Sequence, residues 1–83
     1  MAGSARRERI EGEVQRVLST LVAREVRDPR VGSVTITAVQ LAPDLSVARI
    51  FFLPFGGRHT ADEVREGLAS AAGFLRGEVG RRL

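Results

Sequence analysis

The stretch that decides the fold is TADEVREGLASAAGFLRGEVGRRL, residues 60–83. Thr60 followed by Glu63 matches a capping box, in which two side chains satisfy two free amides at a helix start, so a helix is predicted to begin at Ala61. A single apolar stripe with helical period then continues to the end of the chain. Its members are Val64, Leu68, Ala71, Ala72, Leu75, Val79 and Leu83.

Four glycines, Gly67, Gly73, Gly77 and Gly80, interrupt this helical segment. Each interior glycine costs up to ~1 kcal/mol relative to alanine, so a compensating role is expected. At about 100° per residue, the last three fall with Ala69 on the side roughly opposite the apolar stripe. One interpretation is an exposed surface where a ligand can approach the backbone closely. The alternative is that Gly73 breaks the helix and resets its phase, although a kink and a contact surface are compatible.

Two strands are predicted upstream of this segment. Val34–Leu41 alternates apolar with polar residues, but the apolar parity changes along it, which indicates a bulge near Thr37 or Ala38. A proline and an aspartate supply turn chemistry, and Leu45–Leu53 is predicted to return antiparallel as a hairpin. This second strand is apolar on both faces and requires cover on each. The faces are Ala48, Ile50 and Phe52 on one side, and Val47, Phe51 and Leu53 with Arg49 on the other.

A first helix is predicted from Ala5 to Arg27, because apolar residues recur there at spacings of three and four. Asp28 precedes Pro29 and is biased away from helical dihedrals, which ends the helix. The following Asp28-Pro29-Arg30 predicts a turn that Gly32 closes. The order helix, strand, strand, helix, kink, helix predicts one α+β domain over residues 1–83. The apolar face of the first helix is Ile10, Val14, Val17, Leu18, Leu21 and Val22.

The basic residues are the main functional signal in the composition. The net charge is only +3, but all 13 basic residues are arginine. Arginine binds phosphate bidentately and stacks on bases, although a GC-rich coding sequence would also favour it. Two clusters are candidate phosphate contacts. They are Arg76, Arg81 and Arg82 in the last helix, and Arg6, Arg7 and Arg9 in the first.

Several function classes find little support in the sequence. There is no cysteine, so neither disulfides nor thiolate metal sites are expected. The single histidine, His59, has no nucleophile and carboxylate arranged around it, and no phosphate-loop or dinucleotide motif is present, so neither catalysis nor a cofactor is predicted. No run of about 20 apolar residues and no signal peptide is seen, which predicts a cytoplasmic protein without a membrane partner.

Three stretches carry a family resemblance. They are Asp28-Pro29-Arg30, Asp44-Leu45-Ser46-Val47-Ala48 and Ala71-Ala72-Gly73-Phe74-Leu75-Arg76, and in this order the chain resembles the ribosome-binding factor A family. The resemblance implies a type II KH-like fold, in which a kink at Ala71, Ala72 and Gly73 replaces the loop that clamps nucleotides in ordinary KH domains. The family continues into a third strand that is absent from this chain, and that strand would pair beside the second strand.

The resemblance also implies a function. It implies a monomer that binds the immature small (30S) ribosomal subunit and its rRNA, assists late rRNA maturation and processing, takes part in cold adaptation, and meets an assembly GTPase on the same particle. The alternative is a protein-interaction domain that uses the apolar outer face and edge of the second strand. The expected RNA-binding residues are Arg6, Arg7, Arg9, Ala71, Ala72, Gly73, Arg76, Gly77, Arg81 and Arg82.

Overall fold

The computed structural model describes residues 2–31, 34–44, 46–54 and 59–83, with side chains from residue 5 onward. The two strands pair as one antiparallel sheet. The predicted α+β class and the predicted order of elements are confirmed. The elements are helix α1 (Ala2–Arg24), a 3-10 helix (Pro29–Val31), strands β1 (Val34–Leu41) and β2 (Ala48–Pro54), and helices α2 (Ala61–Ser70) and α3 (Ala72–Arg82).

Helix α1 starts and ends three residues earlier than the sequence predicted. The amides of Glu25 and Val26 both donate to the carbonyl of Leu21, at 2.8 and 3.1 Å, and these bonds close the helix. Val26 then packs partly buried against the core. The helix has therefore ended, and the chain has turned toward the core, before Pro29 can restrict the backbone of the residue that precedes it. Gly32, which was predicted to close the following turn, lies outside the described residues.

Strand β1 contains the predicted bulge. The pairing register with β2 shifts between Ile36 and Ala38, which leaves Thr37 without a cross-strand partner. The extra residue allows Ile36 and Val39, which have opposite parity, to be buried together. The change of apolar phase in the sequence is thus explained by the bulge.

Strand β2 begins at Ala48, later than the predicted start at Leu45, which lies outside the described residues. Asp44 accounts for part of this delay, because its Oδ1 accepts hydrogen bonds from the Ser46 amide at 3.1 Å and the Ser46 hydroxyl at 2.7 Å. Such local bonds favour a turn over a strand ladder.

The core lies between the helices and one face of the sheet. From β2, Ile50 and Phe52 pack against it partly buried, whereas Ala48 on the same predicted face is exposed. The opposite face carries Phe51 and Leu53, which remain 39% and 62% exposed. The second strand therefore has two apolar faces, of which only one is covered by the described part of the chain. The buried residues are Val14, Leu18, Leu21, Val22, Val31, Ile36, Val39, Val64 and Leu75.

Candidate nucleic-acid interface

The bend between α2 and α3 lies at Ala71, the first residue of the predicted Ala71-Ala72-Gly73 kink, and not at Gly73, where the alternative placed a break in the helix. Ala71 has φ −89° and ψ −2°, and it caps the end of α2 and the start of α3 together. Its amide donates to the carbonyls of Gly67 and Leu68, both at 3.1 Å, while its carbonyl accepts from the Leu75 amide at 2.9 Å. The bend therefore uses an ordinary αR residue, and Gly73 lies within α3.

No side chain caps the start of α3. The first amides of a helix have no intrahelical partner, and they carry the positive end of its dipole. Ala72 and Gly73 supply two of these amides, and neither has a long side chain. The first turn of α3 is thus compatible with a nearby anion such as an RNA phosphate.

The glycines of α3 form an exposed surface, here called the glycine face (Gly73, Gly77 and Gly80). A Cβ added at Gly73 or Gly80 would meet no atom within 4 Å, apart from the local backbone of the helix. At Gly77 it would lie 3.6 Å from the guanidinium of Arg81, which crosses that position. The predicted orientation away from the core is confirmed, because Leu75 on the opposite side of α3 is buried.

The arginines of α3 differ in their surroundings. Arg81 forms an ion pair with Glu78, and its hydrogen bond lowers the pKa of that carboxyl. Arg82 Nη2 lies 3.2 Å from Glu25 Oε2 and 3.6 Å from Glu78 Oε2. Arg76 is exposed, and among the described residues it forms no ion pair. Arg76 is therefore the most available cation beside the glycine face.

The amino-terminal arginines are a separate cluster. Arg6 and Arg9 are exposed on the first turns of α1, and Arg7 is partly exposed. At 1.5 Å per residue, Arg9 lies about 22 Å along α1 from Arg24, whereas Arg82 reaches the neighbouring Glu25. The structure thus brings Arg76, Arg81 and Arg82 onto one short helix, but it does not place the first cluster beside them.

An open apolar groove borders the glycine face. It has a volume of about 740 Å³ and lies between α3 and β2. Ala72, Arg76 and Gly80 line its α3 side, and Val47 and Ala48 line its sheet side. Of the ten expected site residues, Ala72 and Arg76 therefore border both the groove and the solvent-facing surface of α3.

Gly67 has a structural role that the sequence reasoning did not identify. It is the buried glycine of α2, and an added Cβ would lie 2.9 Å from Val31 Cγ1 and 3.1 Å from Arg30 Cβ. Gly67 lets α2 approach the 3-10 helix closely. On a helical wheel Gly67 lies at the edge of the apolar stripe, about 40° from Ala71 and away from the glycine face, but the residue it packs against is not specified by the local sequence.

The Asp28-Pro29-Arg30 stretch has a structural role in this packing. Asp28 accepts two hydrogen bonds from Arg30 Nε, at 3.0 and 3.1 Å, and one from Arg30 Nη2 at 2.6 Å. Chiefly through this side-chain contact, the pKa of Asp28 falls to about 2. Arg30 also lies 3.5 Å from Glu66 on α2. The Asp28–Arg30 pair therefore fixes the 3-10 helix against α2. Both side chains are already engaged in these contacts within the protein.

The two acidic residues in the first turn of α2, Asp62 and Glu63, have structural contacts, and Asp62 pairs with Arg65. The capping box is confirmed, because Thr60 and Glu63 exchange hydrogen bonds of 2.9 and 3.1 Å, and this contact lowers the pKa of Glu63. His59 Nδ1 lies 3.6 Å from the same carboxylate. Within the described ranges, no group of three or more potential ligands is arranged for a metal ion, and no helix has the length and apolar content of a membrane span.

Comparison with known proteins identifies related sequences. The family model described as Ribosome-binding factor A matches residues 6–83. The chain is 44% identical over 81 residues to Ribosome-binding factor A of Dechloromonas aromatica (strain RCB), covering 98% of this chain and 65% of that protein. It is 42% identical over 79 residues to the protein of that name from Azoarcus sp. (strain BH72), covering 95% and 63%. The chain thus spans slightly less than two thirds of these relatives.

A solved structure has the same fold. The crystal structure of ribosome-binding factor A from Thermus thermophilus matches with a TM-score of 0.83 at 25% sequence identity. The match covers 93% of this chain and 81% of that one. The arrangement of helices and sheet is therefore shared beyond the sequence similarity.

Proposed function

The chain belongs to the ribosome-binding factor A family, and we propose that it binds the immature small (30S) ribosomal subunit and its rRNA in the cytoplasm. In this role it assists late maturation and processing of the small-subunit rRNA, and it contributes to cold adaptation. It acts as a monomer on a particle that an assembly GTPase also binds. Family membership carries the ribosomal part of this proposal.

The RNA contact is proposed on the exposed surface of α3. The glycine face presents backbone without side chains, and the first turn of the helix supplies uncapped amides. Arg76 adds a cation that no described carboxylate neutralises. Backbone amides and arginine are among the groups that proteins use on nucleic-acid phosphates. This combination supports α3 as the main contact, with Ala71 and Ala72 positioning it at the bend.

The proposed chemistry is binding and positioning. The arginines neutralise phosphates, which makes the affinity fall with salt. The small residues allow the RNA backbone to approach α3 closely, so that shape as well as charge contributes to recognition. No bond of the RNA is made or broken by the protein in this proposal.

Sedimentation of a cell extract tests the proposed function. The protein should migrate with free small subunits and be absent from translating ribosomes, and its depletion should increase the fraction of incompletely processed small-subunit rRNA. Migration only at the top of the gradient, with normal rRNA processing in depleted cells, would contradict the proposal.

A second candidate function is a protein contact through β2. On the outer face of β2, Leu53 is 62% exposed and Phe51 is 39% exposed, and Val47, which precedes the strand and also borders the groove, is 64% exposed. A contact through these apolar residues should depend weakly on salt, whereas RNA binding should weaken by a log-log slope of about −0.7 per phosphate on single strands. Binding to small subunits that is insensitive to salt would favour the protein contact.

A further inference from the structure

Phe74 is an exposed aromatic residue that the proposed phosphate contacts do not use. It lies in the first turn of α3, next to the bend at Ala71, and its exposure is 45%. The phenylalanine ring has no polar group, so it gains nothing from water. A ring held open on a rigid helix beside a proposed RNA surface is a candidate for stacking.

A shallow depression of about 260 Å³ adjoins this ring. Val26, Gly67 and Ala71 give it an apolar lining, and Ser70 and Arg27 contribute polar groups. It is distinct from the larger groove, which lies between α3 and β2. The depression is therefore lined by apolar residues, by Ser70 and Arg27, and by the acidic residues Glu25 and Asp28.

The charged side chains around the depression differ in whether they form ion pairs. Its two carboxylates are paired, because Asp28 is bound by Arg30 and Glu25 lies 3.2 Å from Arg82. Arg27 is exposed, and it forms no ion pair with any residue that the structure describes. The charge that is left unpaired at the depression is therefore positive, and it is complementary to a phosphate.

We propose that Phe74 stacks on one unpaired base of single-stranded RNA and that Arg27 contacts a neighbouring phosphate. The proposal rests on the proposed function and adds a base contact to the phosphate contacts of α3. A nucleotide matches the site better than an apolar protein segment, because a small depression with a free cation and a hydroxyl offers little continuous apolar area.

Fluorescence can report the stacking directly, because the chain contains neither tryptophan nor tyrosine. Phe74→Trp introduces a single tryptophan at the proposed contact. Titration with single-stranded RNA, which adds no tryptophan of its own, should quench its emission, and the affinity should stay within about twofold of the parent chain. Thr20→Trp, on the exposed side of α1, is the matched control and should not be quenched. Equal emission of Trp at position 74 in the free and bound states would overturn the proposal.

Removal of the ring gives an independent measurement. Phe74→Leu should lower the affinity for immature small subunits at least about fivefold, within the range of one base–aromatic stack. Arg16→Ala, which removes an exposed side chain from α1, should leave the affinity unchanged. Arg27→Ala should weaken binding and reduce its salt dependence. Melting temperatures of all variants establish that the folded fraction is being compared.

The outcomes separate this inference from the function on which it rests. Failure of the parent chain to bind small subunits would contradict the proposed function itself. Binding by the parent chain that Phe74→Leu leaves unchanged would overturn only the stacking. Phe74→Leu could lose particle binding even though the bound parent chain protects no unpaired base from chemical modification. That result would assign Phe74 to a contact with a ribosomal protein and overturn the RNA contact.

Discussion

Single residues show that the glycines of this chain have two different roles. Gly67 is buried where α2 meets the 3-10 helix, whereas Gly12 on α1 has open space at its Cβ position. Both are helical, so alanine would improve the helix propensity at each by up to about 1 kcal/mol. Packing therefore determines which of the two substitutions the domain tolerates.

Gly67→Ala should lower the melting temperature by several degrees, because overpacking of about 1–3 kcal/mol exceeds the gain in helix propensity. Gly12→Ala should raise it by a few degrees. Thermal unfolding followed by circular dichroism measures both. A Gly67→Ala protein that is as stable as the Gly12→Ala protein would show that α2 can move away from Val31 at little cost.

Asp28 should make the stability depend on pH. Its folded-state pKa of about 2 lies below the ordinary 3.8, so its contribution is present at neutral pH and is lost as the pH falls from about 4 to 2. Asp28→Asn should therefore be less stable than the parent chain at pH 6, and the difference should shrink below pH 4. Asp62→Asn, which affects a more exposed ion pair, should show a smaller difference at pH 6. A gap for Asp28→Asn that stays constant down to pH 2 would contradict this role of the Arg30 contact.

At the scale of elements, the sequence predicted what local chemistry determines. The capping box located the start of α2, and the parity change in β1 located the bulge. The resemblance placed the kink at Ala71, Ala72 and Gly73, and the structure bends at the first of these residues, because Ala71 adopts the required conformation without a positive φ. The close packing at Gly67 depends on the distant Val31, which no local pattern specifies.

The arginines of α3 can be ranked by their ion pairs. Arg76→Glu should weaken binding to small subunits about tenfold or more, because an available cation becomes an anion beside RNA. Arg81→Glu with Arg82→Glu should weaken binding less per charge, since carboxylates already pair with both side chains. Arg16→Glu, an exposed charge reversal on α1, is the control. Equal affinity of the Arg76→Glu variant and the control would exclude this side of α3 from the interface.

At the scale of the whole molecule, charge is distributed over two separate regions. The amino-terminal cluster and the α3 arginines lie toward opposite ends of α1. This separation could not be predicted from the sequence, because it depends on how α3 docks on α1. Under the proposed function, two distant basic regions would contact phosphates at two separate places on the RNA.

Combined replacement of Arg6, Arg7 and Arg9 by alanine should reduce the affinity for RNA of any sequence and flatten its salt dependence. Discrimination between RNA sequences should remain, because phosphate contacts carry no direct sequence information. Titrations at several salt concentrations give the slope. A slope equal to that of the parent chain would show that these arginines do not contact phosphate.

The central claim is that RNA approaches the exposed backbone of α3, and one variant tests it most directly. Gly73→Leu places a large side chain where an added Cβ meets no neighbour. The melting temperature of this variant should therefore lie within a few degrees of that of the parent chain. Its affinity for immature small subunits, measured on the same sample, should fall at least tenfold because the leucine blocks close approach. A stable Gly73→Leu protein that binds with parental affinity, or a strongly destabilised one whose folded fraction binds normally, would contradict the claim.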